Sequence, residues 1–444
     1  MSFSSEYFDT KIETMPINEL KELQLKKLIN ITRHAYYLSP YYHKLMSDSG
    51  VAPEDIKSFD DFRKVPVFGK DDLRAEMATT GDPHGGILGC SMEEVCNTFA
   101  STGTTGAPTF MAYTKNSKEE MAEAMVRYLW MCKARPGMLT IFPGASFHWY
   151  LGFSMNALSY IPMRLILIGI IHPVTISLFY DAIQRFKPEY FIGGVLDILL
   201  ALEDECSKRN VEPSEVLSCM EYIYSPAGEY ITPETRKKIM KWGIKDLFET
   251  GGLGDGIEVI AECSEHNGMH CWMDKWYIEL VDPESKEPLG PGERGEYLTT
   301  NLFSKGSMYV RFATEDFAEI IPERCNCGRT HNRLRVFDRV SWILKVSNKN
   351  VTPTEIRLTL EKIPETSLGA FTVMKYDEKM TSLKIKVAYN PEITKDLKEL
   401  KERVESHLKE ELGVDPEVEL VKFEDLSFSF HKIQRVVDLT KEQA

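Results

Sequence analysis

The stretch of sequence that decides the fold is Thr98-Phe99-Ala100-Ser101-Thr102-Gly103-Thr104-Thr105-Gly106-Ala107-Pro108-Thr109-Phe110. Its centre combines hydroxyl side chains with two glycines, and apolar residues flank it on both sides. Backbone N–H groups and hydroxyls in such a loop can donate to one anion, which is what phosphate binding requires. The loop therefore predicts a phosphate site, and an ordinary glycine/threonine turn is the alternative. It lacks the Gly-Lys-Ser/Thr ending of a Walker loop, so the sequence does not favour an ordinary NTPase.

Length and composition are those of a multidomain globular protein. The chain has 444 residues, too many for one core, so two or three domains are expected. Its net charge is −14, and the sequence contains no broad basic stripe. Both observations argue against nucleic acid as the main partner. The most apolar run, residues 165–171, is too short to span a bilayer and predicts a buried strand.

The cysteine content and the N-terminal residues indicate the cellular compartment in which the protein is expected. There are nine cysteines, and the start of the chain lacks a basic stretch followed by an apolar one. We therefore expect no secretory signal, free thiols instead of disulfides, and a cytoplasmic location.

The pattern of apolar residues predicts an α/β fold. Strand-like and helix-like runs alternate over residues 139–200, which predicts βαβ units and a mainly parallel sheet. After residue 262, strands punctuated by Gly and Pro predict an antiparallel, barrel-like subdomain. We therefore predict a large N-terminal domain, 1–338, that includes this subdomain at about 262–338. Residues 339–444 are predicted to form a small α+β domain.

Three further residues could act together with the loop. Asp316 is predicted to end a strand, where a carboxylate can accept hydrogen bonds from a ribose diol, and a strand-end turn is the alternative. Arg339 lies at the predicted domain boundary and could reach a phosphate or ribose, or be a surface charge. Lys432, among apolar and aromatic residues, could bring positive charge to a reacting phosphoester, or be a solvated lysine on a tail strand.

These features, in this order and spacing, resemble the adenylate-forming ligases, and in particular the phenylacetate-CoA ligase-like branch. The loop is similar to that family's Ser-Ser-Gly-Thr-Thr-Gly-Lys-Pro-Thr phosphate loop, with Ala107 in place of the lysine. Residues 227–229 resemble its Gly-Ala-Glu segment, and residues 311–316 resemble its Arg-Tyr-Arg-Thr-x-Asp motif. Residues 335–356 resemble its hinge and Asn-Val-x-Pro loop, and residues 432–436 resemble its Gly-Lys-x-x-Arg-Val tail. The resemblance covers nearly the whole chain.

The resemblance implies a ligase that activates a carboxylic acid with ATP as an acyl-adenylate and then transfers the acyl group to coenzyme A. Pyrophosphate and AMP are released, and the small domain rotates between the two steps at a hinge near residues 338–341. We expect an aromatic or arylacetic acid, with ATP, CoA and Mg²⁺ as the other small molecules, and we leave a homodimer open. An acceptor other than CoA is one alternative. A catalytically degenerate nucleotide-binding homologue is the other.

The resemblance also assigns roles to residues. It makes Lys432 catalytic. It assigns ATP or AMP binding to Ser101, Thr102, Gly103, Thr104, Thr105, Gly106, Glu229, Thr250, Asp316 and Arg339. The expected substrate pocket comprises Phe147, His148, Trp149, Gly228 and Gly251. No glutamate stands where the family holds magnesium, so Glu249, Asp255 or Glu258 would have to replace it, or the metal is held differently.

A second group of residues has the composition of a zinc site. Cys325 and Cys327 are one residue apart, and Cys263 and His270 lie upstream. Four such soft or borderline ligands suit tetrahedral zinc, and some members of the family share this pattern. We predict a closed, structural zinc site, in which His266 or Cys271 could replace one member.

Overall fold

The computed structural model describes residues 5–100, 108–143, 156–168, 176–193, 196–226, 231–252, 258–366, 369–391, 393–422, 425–426, 428–429, 432–433 and 435–440. The chain divides into two compact units. The larger comprises Met1–Ile231, Arg236–Thr314 and Ala318–Arg335. The smaller comprises Thr232–Thr235, Glu315–Phe317 and Val336–Ala444. The main division falls close to the boundary expected at residue 338.

Helices account for much of the larger unit. The α-helices that lie wholly or partly in it are Thr10–Glu13, Ile17–Leu38, Pro40–Asp48, Phe59–Phe62, Lys70–Thr80, Lys115–Met131, Ile176–Phe186, Leu196–Lys208, Pro213–Leu217 and Pro233–Met240. Short 3-10 helices are Pro53–Asp55 and Met92–Glu94. Throughout the described ranges, no helix is both long and apolar enough to cross a membrane.

The strands that lie wholly or partly in this unit form a hairpin and one large sheet. The hairpin consists of β1 (Val95–Ala100) and β2 (Phe110–Thr114). The sheet strands are β3 (Leu139–Pro143), β4 (Arg164–Ile168), β5 (Tyr190–Ile192), β6 (Tyr222–Pro226), β7 (Asp246–Gly252), β8 (Val259–Glu262), β9 (Met269–His270), β10 (Trp276–Val281), β11 (Pro288–Leu289), β12 (Arg294–Asn301), β13 (Phe312–Ile321) and β14 (Arg333–Arg339). Their order is β11-β10-β12-β13-β14-β9-β8-β7-β6-β5-β3-β4.

Strand direction changes along this sheet as the sequence predicts. Strands β4, β3, β5, β6 and β7 are parallel to their neighbours. From β7 to β8 and onward through β9 to β14 the pairing is antiparallel, as it is between β10 and β12. The predicted β-rich segment is therefore hydrogen-bonded into the same sheet as the parallel strands.

The prediction of a buried strand at residues 165–171 was wrong for residues 165–168, the part of this run that the structure describes. Strand β4 is the last strand of the sheet, and Leu167 is 59% exposed. A single-sequence pattern does not distinguish a central strand from an edge strand, because both are rich in β-branched and aliphatic residues.

The smaller unit has the α+β arrangement that the sequence predicts. Its α-helices are Pro353–Leu360 and Leu397–Leu412, and its 3-10 helices are Val340–Trp342 and Pro364–Thr366. Its strands are β15 (Leu344–Val346), β16 (Lys349–Val351), β17 (Phe371–Lys375), β18 (Leu383–Ala388), β19 (Pro416–Val421), β20 (Phe428–Ser429), β21 (Lys432–Ile433) and β22 (Val436–Asp438). The order β19-β18-β17-β22 forms its main sheet. The longer helix is capped by the Asp396 side chain and ends at Gly413, whose φ of 64° is easily adopted by glycine.

The imidazole of His331 is buried in the larger unit. Its Nδ1 accepts a hydrogen bond from the Met273 amide at 2.9 Å, and its Nε2 donates to the Ile12 carbonyl at 2.9 Å. Burial lowers the pKa of His331 from 6.5 to about 3. The neutral form is favoured because a charge is costly away from water, and because a protonated Nδ1 could not accept the Met273 bond.

We expect the free energy of unfolding to fall as the pH drops from 6.5 towards 3, with His331 contributing about 1.4 kcal/mol per pH unit. The unfolded chain takes up this proton below pH 6.5, whereas folded His331 takes it up only near pH 3. A His331→Gln side chain can replace both hydrogen bonds but does not titrate, so this variant should lose that part of the pH dependence. Urea unfolding at several pH values measures the difference, and parallel curves for the two proteins would contradict the prediction.

Candidate active site and metal centre

Several predicted ligand-binding residues lie at or after the carboxyl ends of parallel strands. In the registers of β3, β5, β6 and β7, Ile141 pairs with Phe191, Ile192 with Tyr224, and Pro226 with Thr250. Because these strands are parallel, their carboxyl ends share one edge, where ligands bind in open α/β sheets. Thr250 and Gly251 lie near the carboxyl end of β7, which runs to Gly252. Five further predicted residues lie outside the described ranges. In the sequence, Phe147, His148 and Trp149 come after β3, and Gly228 and Glu229 come after β6.

Gly251 is also explained by packing. A Cβ atom at this position would lie 3.2 Å from Ile260 Cγ1 and 3.4 Å from Met269 Sδ. The antiparallel pairing of β7 with β8 thus leaves little room for a side chain at Gly251, whether or not a substrate binds there.

The predicted phosphate loop connects the two strands of the hairpin. Ala100, the last residue of β1, pairs with Phe110, the first residue of β2. The loop between them therefore begins and ends at one point of the larger unit. The assigned members Ser101, Thr102, Gly103, Thr104, Thr105 and Gly106 lie outside the described residues.

Asp316 and Arg339 form an ion pair within the smaller unit. Arg339 Nε lies 3.0 Å from Asp316 Oδ1, and Arg339 Nη1 lies 3.8 Å from Glu315 Oε2. The structure corrects the prediction that Asp316 ends a strand, since β13 continues to Ile321. A guanidinium that bonds to a carboxylate fixes the orientation of that carboxylate.

Arg311, in the same motif, was not assigned a role from sequence. Its side chain is buried, its Nε lies 3.0 Å from Glu279 Oε2, and its Nη1 donates to the carbonyls of Arg63 and Val65. Its φ of 52° is unusual for a residue other than glycine. These contacts fix the chain where β13 begins. Only the resemblance of residues 311–316 to a family motif could have indicated that Arg311 matters.

The predicted catalytic residue Lys432 lies in the smaller unit. It belongs to β21, where it pairs with Ser429 of β20. Three residues later, Arg435 is buried, donates from Nη1 to the Gly369 carbonyl at 2.9 Å and lies over the Phe371 ring. Arg435 therefore attaches the chain that carries Lys432 to the core of this unit.

The four residues predicted to bind zinc come together. The ligand atoms of Cys263, His270, Cys325 and Cys327 all lie within 4.8 Å of one another. Cys263 Sγ is 3.6 Å from Cys325 Sγ, and Cys327 Sγ is 3.3 Å from His270 Nε2. The first distance is much longer than a disulfide bond of about 2.05 Å. Hydrogen bonds from the thiols of Cys263 and Cys325 lower the pKa of the Cys327 thiol, which favours the thiolate that binds metal.

The fold presents these ligands on two turns and a strand. Cys263 follows β8, and its carbonyl accepts a hydrogen bond from the His266 amide. The Cys325 carbonyl accepts one from Gly328, whose φ is 82°. His270 lies in β9, between β8 and β14. The distances of 3.6 Å between Cys263 Sγ and Cys325 Sγ and 3.3 Å between Cys327 Sγ and His270 Nε2 are close to the values for tetrahedral zinc, about 3.8 Å for two sulfurs and about 3.5 Å for sulfur and nitrogen.

The two alternative ligands are used elsewhere. His266 lies 2.9 Å from Asp246 and 3.1 Å from Glu262. Burial alone would lower the pKa of His266, but its hydrogen bonds with Asp246 and Glu262 outweigh this and raise it to about 9. Cys271 is buried, with its Sγ 3.8 Å from Glu258 Oε1. Of the possible ligand sets considered from sequence, the geometry favours the one with His270.

Known proteins resemble this chain over its whole length. The family model of the AMP-binding enzyme C-terminal domain matches residues 348–440. A phenylacetate-coenzyme A ligase of Thermus thermophilus is 30% identical to this chain, in an alignment that covers 98% of this chain and 100% of that protein. The chain belongs to the phenylacetate-CoA ligase-like family of adenylate-forming enzymes.

Two further comparisons agree with this family. A phenylacetate-coenzyme A ligase of Aromatoleum evansii is 28% identical, over 96% of each chain. The crystal structure of a 2-hydroxyisobutyryl-CoA ligase in the postadenylation state is similar in fold, with a TM-score of 0.88 and 21% identity. That alignment covers 100% of this chain and 94% of the other. The predicted family and fold class are therefore confirmed.

Two of the three carboxylates considered for magnesium, Glu249 and Glu258, lie in the described part of the chain, and both are buried. Glu249 is buried, and one of its oxygens accepts a hydrogen bond from the Ile231 amide at 3.0 Å. Glu258 is fully buried beside Cys271. Asp255 lies outside the described residues. Mg²⁺ usually keeps several water molecules, and the burial of Glu249 and Glu258 does not fit this requirement. In this member of the phenylacetate-CoA ligase-like family, Glu249 instead bonds to the backbone at Ile231, two residues after the segment 227–229 that resembles the family's Gly-Ala-Glu segment.

Proposed function

We propose that the protein is an ATP-dependent acid–thiol ligase that converts an aromatic or arylacetic acid to its CoA thioester. The observation that carries this proposal is the 30% identity to a phenylacetate-coenzyme A ligase over that protein's full length. The proposal is further supported by Thr250 at the carboxyl edge of the parallel strands and by the ion-paired Asp316 and Arg339.

The reaction has two steps. In the first, a carboxylate oxygen bonds to the α-phosphorus of ATP while the bond to the bridging oxygen breaks and pyrophosphate leaves. In the second, the CoA sulfur bonds to the acyl carbon, the thiol proton is lost, and AMP leaves. Magnesium carried by the ATP phosphates supplies charge neutralisation in the first step.

Each predicted residue has a task that its chemistry suits. Residues 101–109 bind the β- and γ-phosphates through amides and hydroxyls. Asp316 accepts hydrogen bonds from the ribose hydroxyls, and Arg339 holds its carboxylate in position. Glu229 and Thr250 bind the AMP portion. Lys432 stabilises the negative charge that develops around the α-phosphorus.

The aromatic part of the proposal rests on the segment after β3. Phe147 and Trp149 supply aromatic surface there, and His148 can pair with a polar substituent of the substrate. The names of the Thermus and Aromatoleum relatives point to the same class of acid.

We also propose that the smaller unit acts as a mobile lid between the two steps. The Thr354 amide donates to Asp338 Oδ2 at 2.8 Å, and the Thr354 hydroxyl donates to the Phe337 carbonyl at 2.8 Å. These bonds make Phe337 and Asp338 move with the smaller unit. The hinge then lies at the division between Arg335 and Val336, slightly before the position expected from sequence.

The cysteine and histidine cluster is proposed to hold one structural zinc ion. It supplies four protein ligands, which leaves no open position for a substrate. We therefore assign it no step of the reaction.

The acid specificity can be tested with a matched pair of substrates. We expect phenylacetate to give a kcat/KM for pyrophosphate release at least about tenfold above that of cyclohexylacetate, because only the planar ring stacks well on aromatic side chains. Both acids have the same ring size and chain length, so aromaticity is the main difference. Equal or reversed preference would contradict the aromatic substrate while leaving the ligase in place.

A further inference from the structure

We propose that the metal-binding loop, residues 322–332, fastens the N-terminal segment, residues 5–15, to the larger unit, so that loss of the metal releases this segment. The proposal rests on the zinc site proposed above. It concerns two parts of the chain that lie far apart in sequence but belong to the same unit.

The side chains of Tyr7 and Arg329 make three polar contacts between the loop and the segment. The Tyr7 hydroxyl donates to the carbonyl of Cys327, itself a proposed ligand, at 2.9 Å. Arg329 Nε lies 2.8 Å from Glu13 Oε2, and both side chains are almost completely buried. Arg329 also donates from Nη2 to the Glu6 carbonyl at 3.0 Å and lies over the Tyr7 ring.

The next two loop residues bond to the backbone of the segment. The Thr330 hydroxyl donates to the Met15 carbonyl at 2.7 Å, and the Thr330 amide donates to the Glu13 carbonyl at 3.2 Å. His331 Nε2 donates to the Ile12 carbonyl at 2.9 Å.

Gly328 completes the run of contacts from residue 327 to residue 331. A Cβ atom on this glycine would collide with the Tyr7 hydroxyl. Five consecutive residues of the loop therefore touch the N-terminal segment or leave room for it.

The segment has little structure of its own. Its only helix in the described residues is Thr10–Glu13, one turn long, and isolated helices of this length are unstable. Contacts from the helix Lys115–Met131 and just beyond hold its beginning, with the Trp130 indole donating to the Ser5 carbonyl and Lys133 pairing with Glu6. The end near Glu13 depends on the loop.

The loop in turn depends on the ligands. It connects β13 to β14, and its described residues include no helix or strand. Two of its side chains, Cys325 and Cys327, face Cys263 and His270 across the cluster. A metal ion would bond to all four groups, whereas without a metal no covalent or coordinate bond joins the loop to Cys263 and His270. Metal loss should thus loosen residues 325–329 and, through Arg329, withdraw the partner of the buried Glu13 carboxylate.

Hydrogen–deuterium exchange read by mass spectrometry tests this proposal, with zinc content measured on the same samples. Removing zinc from the full-length protein with a chelator should speed amide exchange in residues 5–15 by at least about tenfold. The helix Leu397–Leu412 in the smaller unit should be unchanged. Unchanged exchange in residues 5–15 after zinc has been lost would overturn the proposal.

Variants separate the fastening contacts from metal binding. Arg329→Met should keep its zinc yet show fast exchange in residues 5–15, and the milder Tyr7→Phe should show a smaller increase with zinc retained. Arg324→Met, which changes an exposed arginine of the same loop, is the matched control and should behave as wild type. If both Arg329→Met and Tyr7→Phe exchange residues 5–15 at the wild-type rate, the proposed attachment of this segment to the loop is overturned, but the zinc site is not. A purified protein that contains no zinc and still protects residues 5–15 would overturn the zinc site as well.

Discussion

Lys432→Ala is expected to lower the rate of acyl-adenylate formation by at least about a thousandfold while leaving ATP binding nearly unchanged. In the proposed mechanism the lysine charge stabilises the negative charge that develops around the α-phosphorus, whereas the predicted loop and Asp316 are proposed to bind the rest of ATP. Acid-dependent pyrophosphate release measures the rate, and calorimetry with ATP measures binding. Turnover at the wild-type rate would remove Lys432 from the mechanism.

A matched control and a second substrate sharpen this experiment. Lys398→Ala removes a lysine of the smaller unit whose side chain is 87% exposed, and it should leave the rate unchanged. If synthetic phenylacetyl-AMP is supplied instead of ATP, Lys432→Ala should still transfer the acyl group to CoA, since no phosphorus is attacked in that step. Equal loss in both steps would indicate a disturbed fold and not a role at the phosphate.

Cys327→Ser is expected to abolish zinc binding, taking the zinc content from about one ion per chain to nearly none, and to lower the melting temperature. Serine keeps the size of the side chain but is a poor zinc ligand at neutral pH, and the Cys327 sulfur lies 3.3 Å from His270 Nε2. Elemental analysis and thermal unfolding measure the two effects. A variant with full zinc content would count against the four-ligand site.

Control variants test which residues form this ligand set. His266→Gln and Cys271→Ser should both retain zinc, because His266 is paired with Asp246 and Glu262 and Cys271 lies beside Glu258. Cys90→Ser changes a cysteine outside the cluster and should also retain it. Zinc loss in either of the first two variants would indicate that His266 or Cys271 is a ligand, in place of one of the four assigned residues.

The sequence predicted which four residues come together, and their role as zinc ligands stays a prediction. The Cys-x-Cys pair is local, and the upstream stretch 263–271 offers two cysteines and two histidines as candidate partners. Geometry was needed to choose His270 over His266. The choice depends on β9 lying between β8 and β14, and this pairing joins segments that are far apart in the chain.

Other parts of the site could not be predicted from sequence. Asp316 of β13 pairs with Arg339 of β14, and Arg311, just before β13, pairs with Glu279 of β10. No local sequence pattern predicts either ion pair. The attachment of residues 5–15 to the metal-binding loop is likewise a long-range contact. The exposed edge strand β4 was missed because apolar periodicity does not report a strand's place in a sheet.

The most direct measurement is the identification of products after incubation of the wild-type protein with ATP, CoA and phenylacetate. The proposed function predicts phenylacetyl-CoA and AMP in equal amounts, with no ADP, and neither product when the acid is omitted. AMP formed without the thioester would point to an acceptor other than CoA. Absence of AMP with every aromatic acid tested, despite ATP binding, would contradict the ligase and leave a nucleotide-binding protein.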